Sequence, residues 1–204
     1  MTRTLQEFKR GNIRELFSKV LQSQEIKLKP FDVLVRESWD NDFTMVDLSV
    51  EEEISGIKKI KTFQPTEAKG FVDGIFKACL SQYVAQSPSL RNIRLTDYRV
   101  VPHFDKLKTQ IGSDATTGVT IVVRVKEHGT SEFSYTSRSI LYSSFSAILQ
   151  AFEFYINCDR TFDRIQLALD DAESRNRGDI VQSCLSDLSK LTGVNTYEKT
   201  KEKN

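Results

Sequence analysis

The sequence predicts an α+β fold of two β-β-β-α units related by internal pseudo-symmetry, with an N-terminal helix and a C-terminal helical hairpin. Two observations lead to this fold. Segments with strand-like alternation occur in two groups of three, and a segment of helical periodicity follows each group. The apolar stripe of the second helix repeats that of the first, since Phe145 lies 73 positions after Val72 and further apolar positions keep that spacing. Because one helix covers only one face of three strands, pairing the units is expected to complete the core.

Residues 1–30 are predicted to form a helix followed by a linker. Apolar residues recur there at the spacing that places them on one side of a helix. They are Ile13, Leu16, Phe17, Val20 and Leu21. Pro30 is expected to end this segment, because proline has no backbone N–H with which to continue a helix.

The two units are assigned to residues 31–86 and 93–157, which together form one domain, residues 31–157. Alternating apolar residues and β-branched runs indicate the strands, and a four-residue apolar spacing indicates the helices. In the first unit the strands are expected at 31–36, 43–50 and 54–63, and the helix at 72–83. In the second unit the strands are expected at 93–101, 119–125 and 133–136, and the helix carries an apolar stripe from Phe145 to Ile156.

The rest of the sequence predicts a helical hairpin at 158–193 and a disordered tail at 194–204. Two apolar stripes lie on either side of a polar break at 175–178, which is typical of two helices joined by a short turn. The tail is rich in Lys and Glu and has few apolar residues to pack against the core.

The composition excludes several classes of protein. The 29 Lys and Arg residues face 28 Asp and Glu residues, and this net charge of +1 supplies no excess field to attract nucleic acid or an anionic membrane. The two histidines and three cysteines are too scattered for a metal site, and no other cofactor is expected. Three well-separated cysteines and the lack of a long apolar run favour a cytoplasmic protein without disulfides or membrane spans. Cys79, Cys158 and Cys184 are expected to pack in the core.

Three short motifs follow one another in the second unit. Leu95-Thr96-Asp97-Tyr98-Arg99-Val100 is strand-like, Gly112-Ser113-Asp114-Ala115 leads towards the next strand, and a helix carries Ser144 and Ala147 and ends at Phe154-Tyr155-Ile156-Asn157. In this order they resemble the C-terminal allosteric domain of 2-isopropylmalate synthase and of its relative citramalate synthase. The resemblance covers residues 12–157, through motifs in the second unit and through architecture in the first.

This resemblance implies a regulatory domain that works as a homodimer and binds leucine or isoleucine as a feedback inhibitor of branched-chain amino acid biosynthesis. It also implies that the helix from Asn12 joins the domain to the rest of such an enzyme. Only about eleven residues precede that helix, so this chain is expected to lack the catalytic barrel of the family. The chain is therefore expected to be non-catalytic and to regulate a separate catalytic synthase subunit.

Six residues are predicted to bind the effector, and they are Tyr98, Gly112, Asp114, Ala115, Ser143 and Ser144. The small residues of the Gly112–Ala115 loop suit a ligand that docks between units, although an ordinary turn explains them equally well. The two serines begin the second helix, where they either offer free N–H groups to a carboxylate or cap the helix. Tyr98 is placed between the units, or is a plain strand aromatic.

The leading hypothesis is a stand-alone regulatory domain that senses a branched-chain amino acid. The alternative is a dimerisation or interaction module that keeps the fold, binds no ligand and holds a partner through its C-terminal hairpin. An enzyme in its own right is the weakest hypothesis, because the motifs supply no set of nucleophile, base and orienting group.

Overall fold

The computed structural model describes residues 5–103 and 116–197, which form a mixed α/β structure with four helices and two antiparallel sheets. The helices are α1 (Leu5–Val20), α2 (Phe71–Tyr83), α3 (Ile140–Ser174) and α4 (Gly178–Thr192). The strands are β1 (Lys27–Ser38), β2 (Phe43–Ile54), β3 (Ile57–Thr62), β4 (Thr66–Ala68), β5 (Ile93–His103), β6 (Thr116–Val125) and β7 (Gly129–Ser137). A 3₁₀ turn, Pro88–Asn92, leads into β5.

Each sheet buries one face. In the first sheet β2 lies between β1 on one side and β3 and β4 on the other, and in the second sheet β6 lies between β5 and β7. Every second residue of β2 from Thr44 to Val50 is buried, and the same is true of β6 from Thr117 to Val125. This alternation turns one face of each sheet towards the helices, and the side chains of the other face are half-buried or exposed except for Val122.

Helix α3 is the centre of the molecule. It packs against β6 and β7 of the second sheet, against β1 of the first, and against the other three helices. Every residue from Ser143 to Phe162 is buried or half-buried. A helix that is apolar on all sides needs such an enclosure, and the sequence around Ala147–Phe152 is apolar on all sides apart from Gln150.

The structure corrects three element boundaries. Pro30 does not end a linker but lies within β1, which is an edge strand of its sheet and so tolerates a residue without an N–H. The expected strand at 54–63 begins only at Ile57, because Ser55 and Gly56 adopt positive φ and form a hairpin turn between β2 and β3. The first sheet also contains the three-residue strand β4, which was not predicted.

The boundary predicted between residues 157 and 158 lies inside α3, which runs through 35 residues. The interval predicted as a separate hairpin is thus the second half of α3 followed by α4. The internal pseudo-symmetry remains a prediction, since α2 has 13 residues and the first sheet has an additional strand.

The end of the described chain packs against the core instead of forming the start of a disordered tail. Asn195 is fully buried, and its amide donates to the carbonyl of Ser89. The Tyr197 ring stacks on Phe162 with a centroid distance of 4.7 Å. The rest of the predicted tail, 198–204, lies outside the described residues. The three cysteines are free and buried, as predicted.

Gly74 in α2 should not tolerate a side chain. A Cβ there would lie 2.5 Å from Cγ2 of Val46, a stiff and fully buried side chain of β2. We expect Gly74→Ala to reduce the free energy of unfolding by about 1–3 kcal/mol through overpacking, despite the higher helix propensity of alanine. A Cβ at Gly11 in α1 would meet no atom within 4 Å, so Gly11→Ala should raise the free energy of unfolding by up to about 1 kcal/mol. Urea denaturation of both variants tests the contrast, and a stabilised Gly74→Ala would contradict this packing.

Asp159 of α3 should make stability depend on pH. Burial raises the pKa of this carboxyl to about 6, although it accepts a hydrogen bond from the Ser89 N–H, and nearby Asp163 adds to the rise. The folded state therefore holds this proton more tightly than the unfolded state, and the stability it contributes is lost as pH rises from about 4 to about 6. Asp159→Asn should then be more stable than the natural chain at pH 7, by up to about 3 kcal/mol.

The measurement is urea denaturation of both proteins between pH 4 and pH 7. The difference in unfolding free energy should grow up to about pH 6 and then level off. Asp170→Asn is the control, because Asp170 is exposed on the same helix. A difference for Asp159→Asn that stays constant over this range would show that the carboxyl titrates normally.

Candidate functional site

Two of the predicted site residues meet where β5 crosses the start of α3. Tyr98 Oη lies 2.9 Å from Ser144 Oγ, and Ser144 Oγ lies 2.7 Å from the Ile140 carbonyl oxygen. Because the single hydroxyl proton of Ser144 goes to that carbonyl, Tyr98 must be the donor to Ser144. The Tyr98 ring also packs edge-on against Phe71 at the start of α2, with a centroid distance of 6.4 Å. Tyr98 therefore links the two β-α units.

The serines at the start of α3 are fully buried. Ser139 is the N-cap, since its side chain accepts the Tyr142 N–H, so Ser143 and Ser144 do not cap the helix. The Ser143 N–H donates to the Ser139 carbonyl and is not free to hold a carboxylate. Its hydroxyl contacts Ser137 Oγ and donates to the Thr117 carbonyl. These groups bind one another and fasten α3 to the second sheet.

The other three predicted site residues, Gly112, Asp114 and Ala115, lie outside the described residues. The structure therefore brings together Tyr98, Ser143 and Ser144 at one helix terminus, where their hydroxyls find partners within the protein.

A second place has the features of a ligand site, and the sequence analysis did not identify it. A cavity of about 440 Å³ lies between α1, the chain leading into β1, and the middle of α3. This volume is within the range of about 300–1,000 Å³ that is typical of small-molecule sites. The lining residues are Arg14, Phe17, Ser18, Glu25, Gln150, Glu153, Phe154 and Asn157.

Glu153 contributes a half-buried carboxyl group to this cavity. Burial raises the pKa of its carboxyl, and the Leu28 N–H at 2.9 Å from Oε2 and the charge of Arg14 lower it by less. Oε1 has no hydrogen-bond partner in the described part of the chain. A half-buried carboxylate with one unused oxygen is suited to receive a cationic or N–H donor group from a ligand.

The charges that line the cavity are not paired with one another. Among the described residues, no ion pair within 4.0 Å involves Arg14, Glu25 or Glu153. Glu25 instead accepts a hydrogen bond from the Ser18 hydroxyl. The cavity thus presents one guanidinium and two carboxylates that are held apart, beside the rings of Phe17 and Phe154, which pack on each other with a centroid distance of 5.6 Å.

Asn157 fixes the geometry of this cavity. Its amide accepts from the Ile26 N–H and donates to the Ile26 carbonyl, both at 2.9 Å, so it ties the entry of β1 to α3. One signal in the sequence pointed here: Glu153 interrupts the aromatic residues Phe152 and Phe154 in an otherwise apolar helix. The cationic partner, Arg14, is too distant in sequence to be linked to it by any local pattern.

Neither a metal centre nor a membrane span is found in the residues that the structure describes. No group of three or more His, Cys, Asp or Glu side chains in this part of the chain is arranged to hold a metal ion. No described helix combines the length and the hydropathy that crossing a membrane requires.

Comparisons with known proteins assign no family. The chain matches no protein-family model, and no curated protein matches its sequence. The resemblance to the allosteric domain of 2-isopropylmalate synthase therefore rests on the motifs of the second unit.

The Tyr98–Ser144 contact should contribute to stability as one unit. We expect Tyr98→Phe and Ser144→Ala each to lower the unfolding free energy by about 0.5–1.5 kcal/mol. The double variant should lose clearly less unfolding free energy than the two single variants lose together, because both changes remove the same hydrogen bond. Tyr142→Phe is the control, because that hydroxyl has no hydrogen-bond partner in the described part and the ring packs on Tyr135. Additive losses in urea denaturation would show that the two hydroxyls act independently.

Proposed function

We propose that this chain is a non-catalytic regulatory module that binds a free amino acid and acts on a separate catalytic synthase. The observation that supports it best is the cavity between α1 and α3, which holds a guanidinium and two carboxylates without an ion pair among them. A free amino acid carries the complementary pair of charges. The motif resemblance adds leucine and isoleucine as the expected ligands.

Each part of a free amino acid has a complementary group of side chains in the cavity. Arg14 would receive the α-carboxylate, since a guanidinium donates two parallel hydrogen bonds to a carboxylate. Glu153 and Glu25 would receive the ammonium group, and Phe17 and Phe154 border the space for an apolar side chain. The bound ammonium would also lower the pKa of Glu153, which burial alone raises.

A ligand in this position would join α1 to α3. Arg14 belongs to α1, Glu153 to α3, and Glu25 to the segment between α1 and β1. In the resembled family the equivalent helix connects the domain to the rest of the enzyme. The proposed means of regulation is therefore a change in how firmly α1 packs on α3.

Dimerisation and a cytoplasmic location belong to the same proposal. Both sheets have an outer face whose side chains are mostly half-buried or exposed, which offers a surface for a second copy. The three buried free thiols are compatible with a reducing compartment.

The second candidate function is an interaction module without a ligand. Large apolar side chains on the outer side of the first sheet favour it. Phe31, Leu34 and Ile60 are each more than half exposed, and Trp39 in the β1–β2 turn is 89% exposed. Such residues are typical of a surface that binds another protein.

Thermal melting with each of the twenty amino acids tests the proposed function. A true effector at about 100 times its dissociation constant adds roughly 2.7 kcal/mol, which raises the melting temperature by about 5–10 °C in a chain of this size. Arg14→Gln and Glu153→Gln should abolish the shift. Glu15→Gln, an exposed neighbour on α1 that does not line the cavity, should retain it.

Two results would count against the proposal. If no amino acid moves the melting temperature, the sensor function is wrong and the interaction module is favoured. If a shift persists in Arg14→Gln, the chain senses an amino acid at another place. Light scattering decides the oligomeric state, and a monomer would exclude the dimeric form of both functions.

A further inference from the structure

A cleft of about 290 Å³ at one end of the second sheet has cationic side chains at four of its six lining positions. Its lining residues are Arg91, Asn92, Arg94, Arg124, Lys126 and Glu127. Four positive side chains thus share the cleft with one carboxylate, in a chain whose net charge is only +1. This is a local concentration of charge that the overall balance conceals.

Two of the cations face each other across neighbouring strands. Arg94 of β5 and Arg124 of β6 are direct partners in the antiparallel register, on the outer face of the sheet. Like charges in this position destabilise a sheet. The register cannot shift to separate them, because the adjacent pairs Ile93 with Val125 and Leu95 with Val123 face the core.

No carboxylate of the described chain, Glu127 included, forms an ion pair with these four cations. None of the ion pairs within 4.0 Å involves Arg91, Arg94, Arg124 or Lys126. Nη1 of Arg94 donates to the carbonyls of Arg91 and Ile93, at 2.9 and 2.8 Å. These two bonds hold the guanidinium in place beside the cleft, so little ordering is left for a ligand to bring about.

The positive region is also short. On the outer face, Val122 precedes Arg124 by two positions, and its partners on the two sides are Asp97 and Glu132. Those carboxylates are paired with Arg99 at 3.0 and 2.5 Å. A long polyanion that continued along the sheet would meet acidic side chains, whereas a compact anion would meet only the cleft.

We propose that this cleft binds a soluble compound carrying a phosphate or diphosphate group. Guanidinium and ammonium groups around a concave site are the usual protein donors to phosphate oxygens. A doubly or more highly charged anion would neutralise the Arg94–Arg124 repulsion that the free protein carries. The site shares no residue with the cavity between α1 and α3, so it stands independently of the proposed function.

The test is calorimetric titration of the full chain with inorganic phosphate and with pyrophosphate at low ionic strength. Pyrophosphate should bind, and more tightly than phosphate. Arg94→Gln/Arg124→Gln should weaken binding by at least about tenfold, because the variant removes two guanidinium groups that donate charge-assisted hydrogen bonds to the anion. The matched control, Lys29→Gln/Arg177→Gln, removes the same charge from exposed positions outside the cleft and should bind within about twofold of the natural chain.

A second measurement reports on the site without any ligand. Single Arg124→Gln should raise the melting temperature of the unliganded chain by about 1–3 °C, because it removes the cross-strand repulsion. The raised melting temperature would show that the variant is folded, so a smaller stabilisation by added pyrophosphate would then report the loss of the site.

Three results would overturn the proposal. One is that pyrophosphate does not bind, and another is that the control variant loses binding as much as the cleft variant. The third is that single-stranded DNA or vesicles of anionic phospholipid bind more tightly than pyrophosphate through the same arginines. That outcome would assign the cleft to a polyanion or a membrane surface.

Discussion

The enclosure of α3 is the constraint on which the rest of the structure depends. From Ser143 to Phe162 this helix has no exposed residue, so a polar side chain there is costly to bury unless it is hydrogen-bonded. Asn157 binds both backbone groups of Ile26, and Asp159 accepts the Ser89 N–H. Ile26 leads into the first sheet and Ser89 into the second, so hydrogen bonds from one short stretch of α3 fix where both sheets begin. The two β-α units are therefore positioned by a shared helix as well as by their apolar faces.

The same enclosure explains why the cavity beside α1 is polar. Glu153 uses one carboxylate oxygen to hold the Leu28 N–H at the start of β1, and no described cation lies close enough to form an ion pair. Burial disfavours the charged form of this carboxyl, which is why its pKa is raised. Moving Arg14 into contact would neutralise Glu153, but α1 packs through Ile13, Leu16 and Phe17, which turn Arg14 towards the solvent side. The apolar stripe of α1 thus keeps these opposite charges apart.

Periodicity in the sequence predicted most strands and helices, because one buried face imposes a regular pattern on each. The course of α3 was partly missed for a physical reason. Its sequence turns from apolar to charged near residue 158, which resembles a boundary, yet no glycine or proline interrupts it before Ser174. The change in composition marks where the helix leaves the sheets and not where it ends. The cavity could not be predicted, since Arg14 and Glu153 are brought together by tertiary packing and no local pattern joins them.

In both the cavity and the cleft, packing elsewhere in the structure fixes charged residues where they form no ion pair. The two places differ in the kind of ligand that would neutralise their charges. In the cavity, opposite charges are held apart by helix packing, and a ligand that carries both charges would bridge them. In the cleft, Arg94 and Arg124 are held together by a register that the buried pairs on either side impose. A bound anion would relieve that repulsion without a change of register and so without disturbing the core. A net charge of +1 argues against binding an extended polyanion, but it does not bear on four cations gathered at one place. Composition therefore argues against one class of partners, while strand register accounts for the place where we propose that a small anion binds.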